Sequence, residues 1–173
     1  MNKRTLTTIL VIFVLVSINI NNKVAAEGNS FKREIENFGG KLTNKVPKVY
    51  SKEEAMKNGD ITFFSERTPE QKQKLLQFKN NVKNKKTDFI RFTEFTEKGD
   101  ALITEYQFNG KLIYYRSDTS RDRTDQNRKG EFVKGEFVKG PHVIEDYCKK
   151  LVPNSEMSYL TDCYKFKNGK IEF

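Results

Sequence analysis

Two cysteines, one histidine and a few closely spaced carboxylates are the residues of this chain best suited to chemistry. His142 follows Pro141, with Glu145 and Asp146 close behind it. A cysteine nucleophile would need a free thiol beside that imidazole. A serine nucleophile would draw on Ser117 or Ser120 with Asp118 or Asp122, but no serine stands on a G-x-S-x-G turn. Asp118, Asp122 and Asp125 offer the oxygen ligands that calcium takes. Their spacing is not that of a D-x-[DN]-x-[DN]-G loop, and Arg121, Arg123 and Arg128 place positive charge among them. A single imidazole excludes a multi-histidine metal centre. The reading assigns no catalytic residue, no metal ligand and no cofactor, and takes His142 as a surface residue. A small hydrolase acting on the cell wall is the enzymatic alternative, and it requires His142 beside two carboxylates in a pocket.

Cys148 and Cys163 fall on two strand-like runs, residues 142–151 and 157–164, on either side of a turn. Symmetric pairing about that turn sets them opposite each other, within disulfide range. A redox pair usually has CxxC spacing and a metal site needs more ligands, so the spacing favours a structural disulfide. A second group has the residue types of a recognition surface: Tyr114, Tyr115, Arg116, Asp118, Ser120, Arg121 and Asp122. Arginine and tyrosine are enriched where binding energy concentrates. The same charges can instead pair internally, Asp118 and Asp122 with Arg116 or Arg121, and fix the mouth of a loop.

The elements that must hold these residues are legible as local signals. Ser51 with Glu54 spells a capping box that opens a short helix, and Asn58-Gly59 can end it. Thr68, Pro69 and Gln71 open a second helix over 69–83, where Leu75, Phe78 and Val82 recur at helical spacing. Residues 61–64, 88–96, 101–108 and 111–116 read as strands. Asn109-Gly110 predicts a two-residue hairpin with Phe108 opposite Lys111, Tyr106 opposite Ile113 and Thr104 opposite Tyr115. One face then gathers Leu102, Tyr106, Phe108, Ile113 and Tyr115 towards the helix. The other holds Ile103, Glu105, Leu112 and Tyr114. Residues 117–130 contain no apolar side chain and read as a mobile surface loop. GEFVK at 130–134 repeats at once as 135–139, an insertion expected to be looped out or bulged. Asn168-Gly169 predicts a terminal hairpin with Lys165 opposite Glu172.

Met1 to Ala26 has the make-up of a secretory signal: Lys3 and Arg4, an apolar run from Ile9 to Val16, and Val24-Ala25-Ala26 before Glu27. Cleavage near Ala26 predicts a secreted or wall-associated chain, and an uncleaved signal a membrane-anchored one. Residues 27–50 read as a linker or loosely packed lead-in, and 51–173 as one domain. The chain from residue 27 carries 29 basic and 23 acidic side chains, a net charge of +6. That balance favours an anionic wall polymer or an acidic extracellular protein as partner. Nucleic acid is not expected for an exported chain, and a membrane only through an uncleaved signal.

The matching residues run in order: Phe78 with Val82, Asp88-Phe89-Ile90-Arg91-Phe92-Thr93, and Glu97-Lys98-Gly99-Asp100. Gly110-Lys111 then precedes Ile113-Tyr114-Tyr115, and Asp118, Ser120, Arg121 and Asp122 form a D-x-S-R-D run. Cys148 and Tyr159-Leu160-Thr161-Asp162-Cys163 close the series. In this order and spacing, residues 59–163 resemble a family of small exported Gram-positive bacterial proteins, catalogued as domain of unknown function 4362. Many relatives look like lipoproteins with a cysteine just after the signal; this chain has none, which points to release or wall retention. The doubled GEFVK also looks like an insertion relative to the family. The resemblance implies one exported α+β domain and brings no activity with it. Together these readings give an α+β fold: a small antiparallel sheet, one main helix packed on it and one disulfide. The expected function is a non-enzymatic binding or interaction module at or outside the cell surface. The alternatives are the wall hydrolase and a structural exported protein without a discrete ligand.

Overall fold

The computed structural model describes residues 29–42, 46–62, 67–126, 130–133, 136–153, 158–166 and 171–172. The expected signal at 1–26, its cleavage at Ala26 and the Asn168-Gly169 turn lie outside these residues. The chain divides into two compact units, Met1–Phe38 and Gly39–Phe173. In the first, residues 29–36 are helical (α1), where a linker was expected.

The second unit begins twelve residues earlier than the domain start read from the sequence. Helix α2, Lys52–Lys57, opens on Ser51, whose hydroxyl accepts from the Glu54 amide while Glu54 accepts from the Ser51 amide. It ends at Asn58, followed by Gly59 at φ 73°. Strand β1, Ile61–Thr62, is short. Helix α3, Pro69–Lys83, opens on the Thr68–Gln71 capping box read from the sequence. Then come β2 (Asp88–Phe95), β3 (Ala101–Phe108) and β4 (Ile113–Asp118). Next are β5 (Gly130–Val133), β6 (Glu136–Lys139), β7 (Val143–Val152), β8 (Tyr159–Cys163) and β9 (Ile171–Glu172).

The fold is α+β, but the sheet is larger than expected and not wholly antiparallel. Seven strands lie in the order β1-β2-β3-β4-β7-β8-β9. β1 pairs with β2 in parallel, since α3 is the crossover that such a pair requires. That connection lays α3 on one sheet face. Leu75 and Phe78 are buried there with Ile90, Phe92, Tyr106, Phe108, Ile113, Tyr115 and Leu160, and Val82 packs at the margin. The Tyr106 ring meets Phe92 edge-on at 5.7 Å and Tyr115 at 5.5 Å between centroids. Such contacts add about 0.5–1.5 kcal/mol each to area burial. Cys148 and Cys163 are paired across β7 and β8 and form the expected disulfide.

Three expected registers change. Phe108 pairs with Ile113, Tyr106 with Tyr115 and Thr104 with Ser117, two residues off the two-residue hairpin. The cause is Asn109, whose side-chain oxygen accepts the amides of Lys111 and Leu112, while its own amide donates to the Leu112 carbonyl. This lengthens the loop to four residues, with Gly110 at φ 93°. A slip of two keeps each side chain on its face, so the core reading survives. At the far end Glu172 pairs with Tyr159, not with Lys165. Lys165 instead donates its amide to Asp146. The doubled GEFVK forms a separate two-stranded sheet in which Phe132 pairs with Phe137. Extruding the repeat leaves β4 and β7 in unbroken register, from Ile113 with Cys148 to Asp118 with Val143.

Candidate binding face

Residues paired directly across antiparallel strands share a face. On the face away from α3, Arg91 of β2 pairs with Glu105 of β3, Glu105 with Arg116 of β4, and Arg116 with Glu145 of β7. Alternating charge therefore crosses four strands in one line. Arg91 Nε donates to Glu105 Oε1 at 2.8 Å, and Arg116 Nη1 lies 3.5 Å from Glu105 Oε2. Glu105 is 0% exposed. A carboxylate at that depth costs several kcal/mol to desolvate and is tolerable only with such partners. Burial opposes the charge on Arg91, yet bonding to Glu105 and the nearby Asp60 carboxylate raise its pKa overall. Asp60 also accepts from the hydroxyls of Tyr50 and Thr93.

One step along each strand lies a polar-aromatic row, Gln107, Tyr114 and Tyr147. The Tyr114 hydroxyl donates to Glu145 Oε1 at 2.5 Å. Burial pushes the Glu145 carboxyl up, but Tyr114, Lys41 and Arg116 outweigh it and hold the pKa below the usual range.

This face is roofed by part of the segment expected to be a loose lead-in. Gln107 reads its backbone in both directions: the side-chain oxygen accepts the Leu42 amide and the side-chain nitrogen donates to the Gly40 carbonyl, both at 2.8 Å. Between them, Lys41 Nζ stands 4.3 Å from the Tyr114 ring centroid, 5.7 Å from that of Tyr147 and 3.4 Å from Glu145 Oε2. Arg121 donates to the carbonyls of Val46 and Pro47, both at 3.1 Å. Tyr50 is buried with Ala55, Ala101 and Ile103, and Val46 packs against them. The segment carries no strong periodicity because side chains of the sheet hold its backbone.

The seven residues read as a recognition surface do not form one. Tyr114, Tyr115, Arg116, Asp118 and Asp122 are buried, Arg121 is half-buried and Ser120 is exposed. Tyr114 and Tyr115 are neighbours in a strand and face opposite sides; Tyr115 belongs to the α3 core. Tyr114, Arg116 and Asp118 share the roofed face, and Arg121 joins them. Asp118 accepts from Arg116 at 2.9 Å, Arg121 at 2.8 Å and the Ser120 amide at 2.9 Å. Burial raises its pKa, but the Ser120 bonds and the two guanidiniums bring it down to about 2. Internal pairing, the second use foreseen for these charges, is what Asp118 does. Asp122 accepts from the Thr124 amide and hydroxyl and so ties the loop to itself. Residues 117–126 are thus a bonded corner with Ser117, Asp118, Thr119 and Asp122 buried, not the open loop expected.

The chemical alternatives are not assembled among the described residues. His142 is half-exposed with Nδ1 3.8 Å from Asp125 Oδ1, while Glu145 is held by Tyr114 and Lys41. Asp146 accepts the amides of Tyr147, Lys165 and Phe166. Among the described residues, the partners of Glu145 and Asp146 are thus groups other than His142. Asp118, Asp122 and Asp125 each serve different partners. Asp146, Cys148 and Cys163 lie within 4.8 Å of one another, but both sulfurs are spent in the disulfide and offer no thiolate to a metal.

With Arg91, Arg116 and Arg121 turned inward, lysines carry much of the outward positive charge. Residues 69–86, which are α3 and its exit, hold six lysines and one glutamate. Lys72, Lys83, Lys85 and Lys86 are exposed. The β3–β4 turn adds exposed Lys111; a Cβ at neighbouring Gly110 would sit 3.4 Å from the Lys85 carbonyl. The sequence of residues 66–152 matches the model of a family described as a domain of unknown function, DUF4362. No curated protein and no solved structure matches the chain.

Proposed function

The chain belongs to the DUF4362 family of domains of unknown function, and from that premise we propose an exported, non-enzymatic module that holds an anionic surface polymer through lysines. One observation carries the reading: Arg91, Arg116 and Arg121 are consumed by buried carboxylates, while Lys83, Lys85, Lys86 and Lys111 gather, exposed, at one end of the sheet. Lysine ammonium groups act as hydrated point charges without the planar fork of arginine. They suit a flexible polymer of repeated anions better than a shaped pocket. The signal-like N-terminus supports a location outside the cytoplasm.

The test is retention of the chain from Glu27 onward on an immobilised polyglycerol-phosphate. Retention is expected at low salt, with release by a few tenths molar sodium chloride, where the Debye length falls below roughly 8 Å. Lys83→Glu, Lys85→Glu and Lys86→Glu combined should weaken binding about tenfold or more. Passage of the native chain without retention, or equal retention of the triple variant, would rule the reading out.

A further inference from the structure

We infer that the face opposite α3 is a binding site for an extended, lysine-bearing peptide, and that residues 40–42 and 46–47 fill it in cis. This site is distinct from the exposed lysines of the preceding section and does not depend on them.

The recognition chemistry is on the page. A side-chain amide that accepts one backbone N–H and donates to a carbonyl two residues earlier satisfies the backbone of an extended strand without reading its sequence. Gln107 does this to Leu42 and Gly40. Arg121 also holds backbone, by donating to the carbonyls of Val46 and Pro47. Within the Gln107 clamp, one residue is read by its side chain: Lys41 lies over the rings of Tyr114 and Tyr147 with Glu145 at its ammonium. Two aromatic faces and a carboxylate around an ammonium make a nest for a cationic side chain, filled here by a lysine. The supporting shell is pre-organised, since Tyr114 is 0% exposed and its hydroxyl fixes Glu145, which Arg116 braces from behind.

The occupant is tethered by a joint that can turn. Gly39 stands at φ 94° with nothing within 4 Å of its missing Cβ, and Gly40 is equally open. Lys41 keeps more than a third of its side chain exposed and Leu42 is exposed, so the nest is shielded by a single layer of chain. A tethered segment competes at an effective concentration near millimolar, which masks the face from a free peptide.

The experiment uses the chain from Glu27 to Phe173 and a fluorescent synthetic peptide with the sequence of residues 39–48, Gly-Gly-Lys-Leu-Thr-Asn-Lys-Val-Pro-Lys. In one protein variant, Lys41→Ala removes the anchor and Leu42→Pro removes the amide that Gln107 accepts. Fluorescence anisotropy should show saturable binding to this variant, at least about tenfold tighter than to the native chain, whose site is filled. Replacing the peptide's own lysine anchor by alanine should weaken binding at least about fivefold. Equal binding of both proteins, equal binding of both peptides, or no binding to a folded variant would overturn the proposal. Should the double variant not fold, Lys41→Ala alone is tested by the same criteria. If neither folds, residues 40–42 and 46–47 cannot leave without unfolding the domain, and the idea fails. The polymer-retention test reads none of these contacts, so either proposal can fail alone.

Discussion

On one side of the sheet, Phe78 and Leu75 of α3 press onto Tyr106, Ile113 and Tyr115. On the other, Gln107, Glu145 and Arg121 hold residues 40–42 and 46–47 by hydrogen bonds and one ion pair above a line of buried charges. The first face is closed by area, which is non-directional and forgiving of small shifts. The second is closed by pairs whose members must lie opposite each other to within a few tenths of an ångström. Two covers on one sheet thus differ in what they demand of it. The helix needs an apolar surface; the roofed face needs a register.

Substitutions at the centre of each face test that contrast most severely. Phe78→Ala should cost about 3–5 kcal/mol through lost burial and the cavity left behind. Glu105→Ala should cost a similar 3–5 kcal/mol for a different reason, leaving Arg91 and Arg116 facing each other without their shared carboxylate. Urea unfolding in low and high salt separates the causes. The Glu105 variant should regain part of its loss as salt screens the arginines, and the Phe78 variant should not. A loss below about 1 kcal/mol for Glu105→Ala would mean that charge pairing does not hold the second face.

The next effect belongs to the α3 side. Cys148→Ser with Cys163→Ser opens a loop of 15 residues beside that core, and the loss should be about 3 kcal/mol. Thermal unfolding with and without reductant checks it: the variant should be insensitive to reductant, and the native chain should fall to the variant's stability.

The smallest effect is the acid sensitivity of the roofed face. Asp118 titrates at about 2 in the folded chain, below its ordinary 3.8. Its contribution is complete above about pH 5 and is mostly lost as pH falls towards 2, a change of about 2 kcal/mol. Glu145, also depressed, acts in the same direction. Asp118→Asn should flatten that part of the stability profile against pH. An unchanged slope between pH 4 and 2 would remove Asp118 from the account of this face.

What could be read from the sequence follows the same division. Thr68, Pro69 and Gln71 announce α3 because a capping box is local, and Leu75, Phe78 and Val82 mark its buried side because helical periodicity is local too. The cysteines were legible because two strand-like runs close in sequence pair antiparallel and set Cys148 opposite Cys163. The line from Arg91 through Glu105 and Arg116 to Glu145 was not legible, since each charge is an ordinary polar position until strands from four parts of the chain are aligned. Asn109 hid the alignment further by building a four-residue loop where its dipeptide with Gly110 pointed to two. Residues 40, 42, 46 and 47 fall within the stretch 27–50 read as a linker or loosely packed lead-in, because the sheet side holds them through their backbone, which has no spelling. Strand alternation alone, however, separates Tyr114 from Tyr115 and rules out a patch containing both.

The self-paired GEFVK repeat also bears on how such a chain could change its length over generations. One copy grafted between β4 and β7 would bring a strand with no neighbour and would press its unpaired amides on the main sheet. Two copies are self-sufficient, because each supplies the other's missing edge and Phe132 meets its own duplicate in Phe137. A third would again leave a strand over. An addition made in pairs would therefore leave the register of the main sheet as it stands.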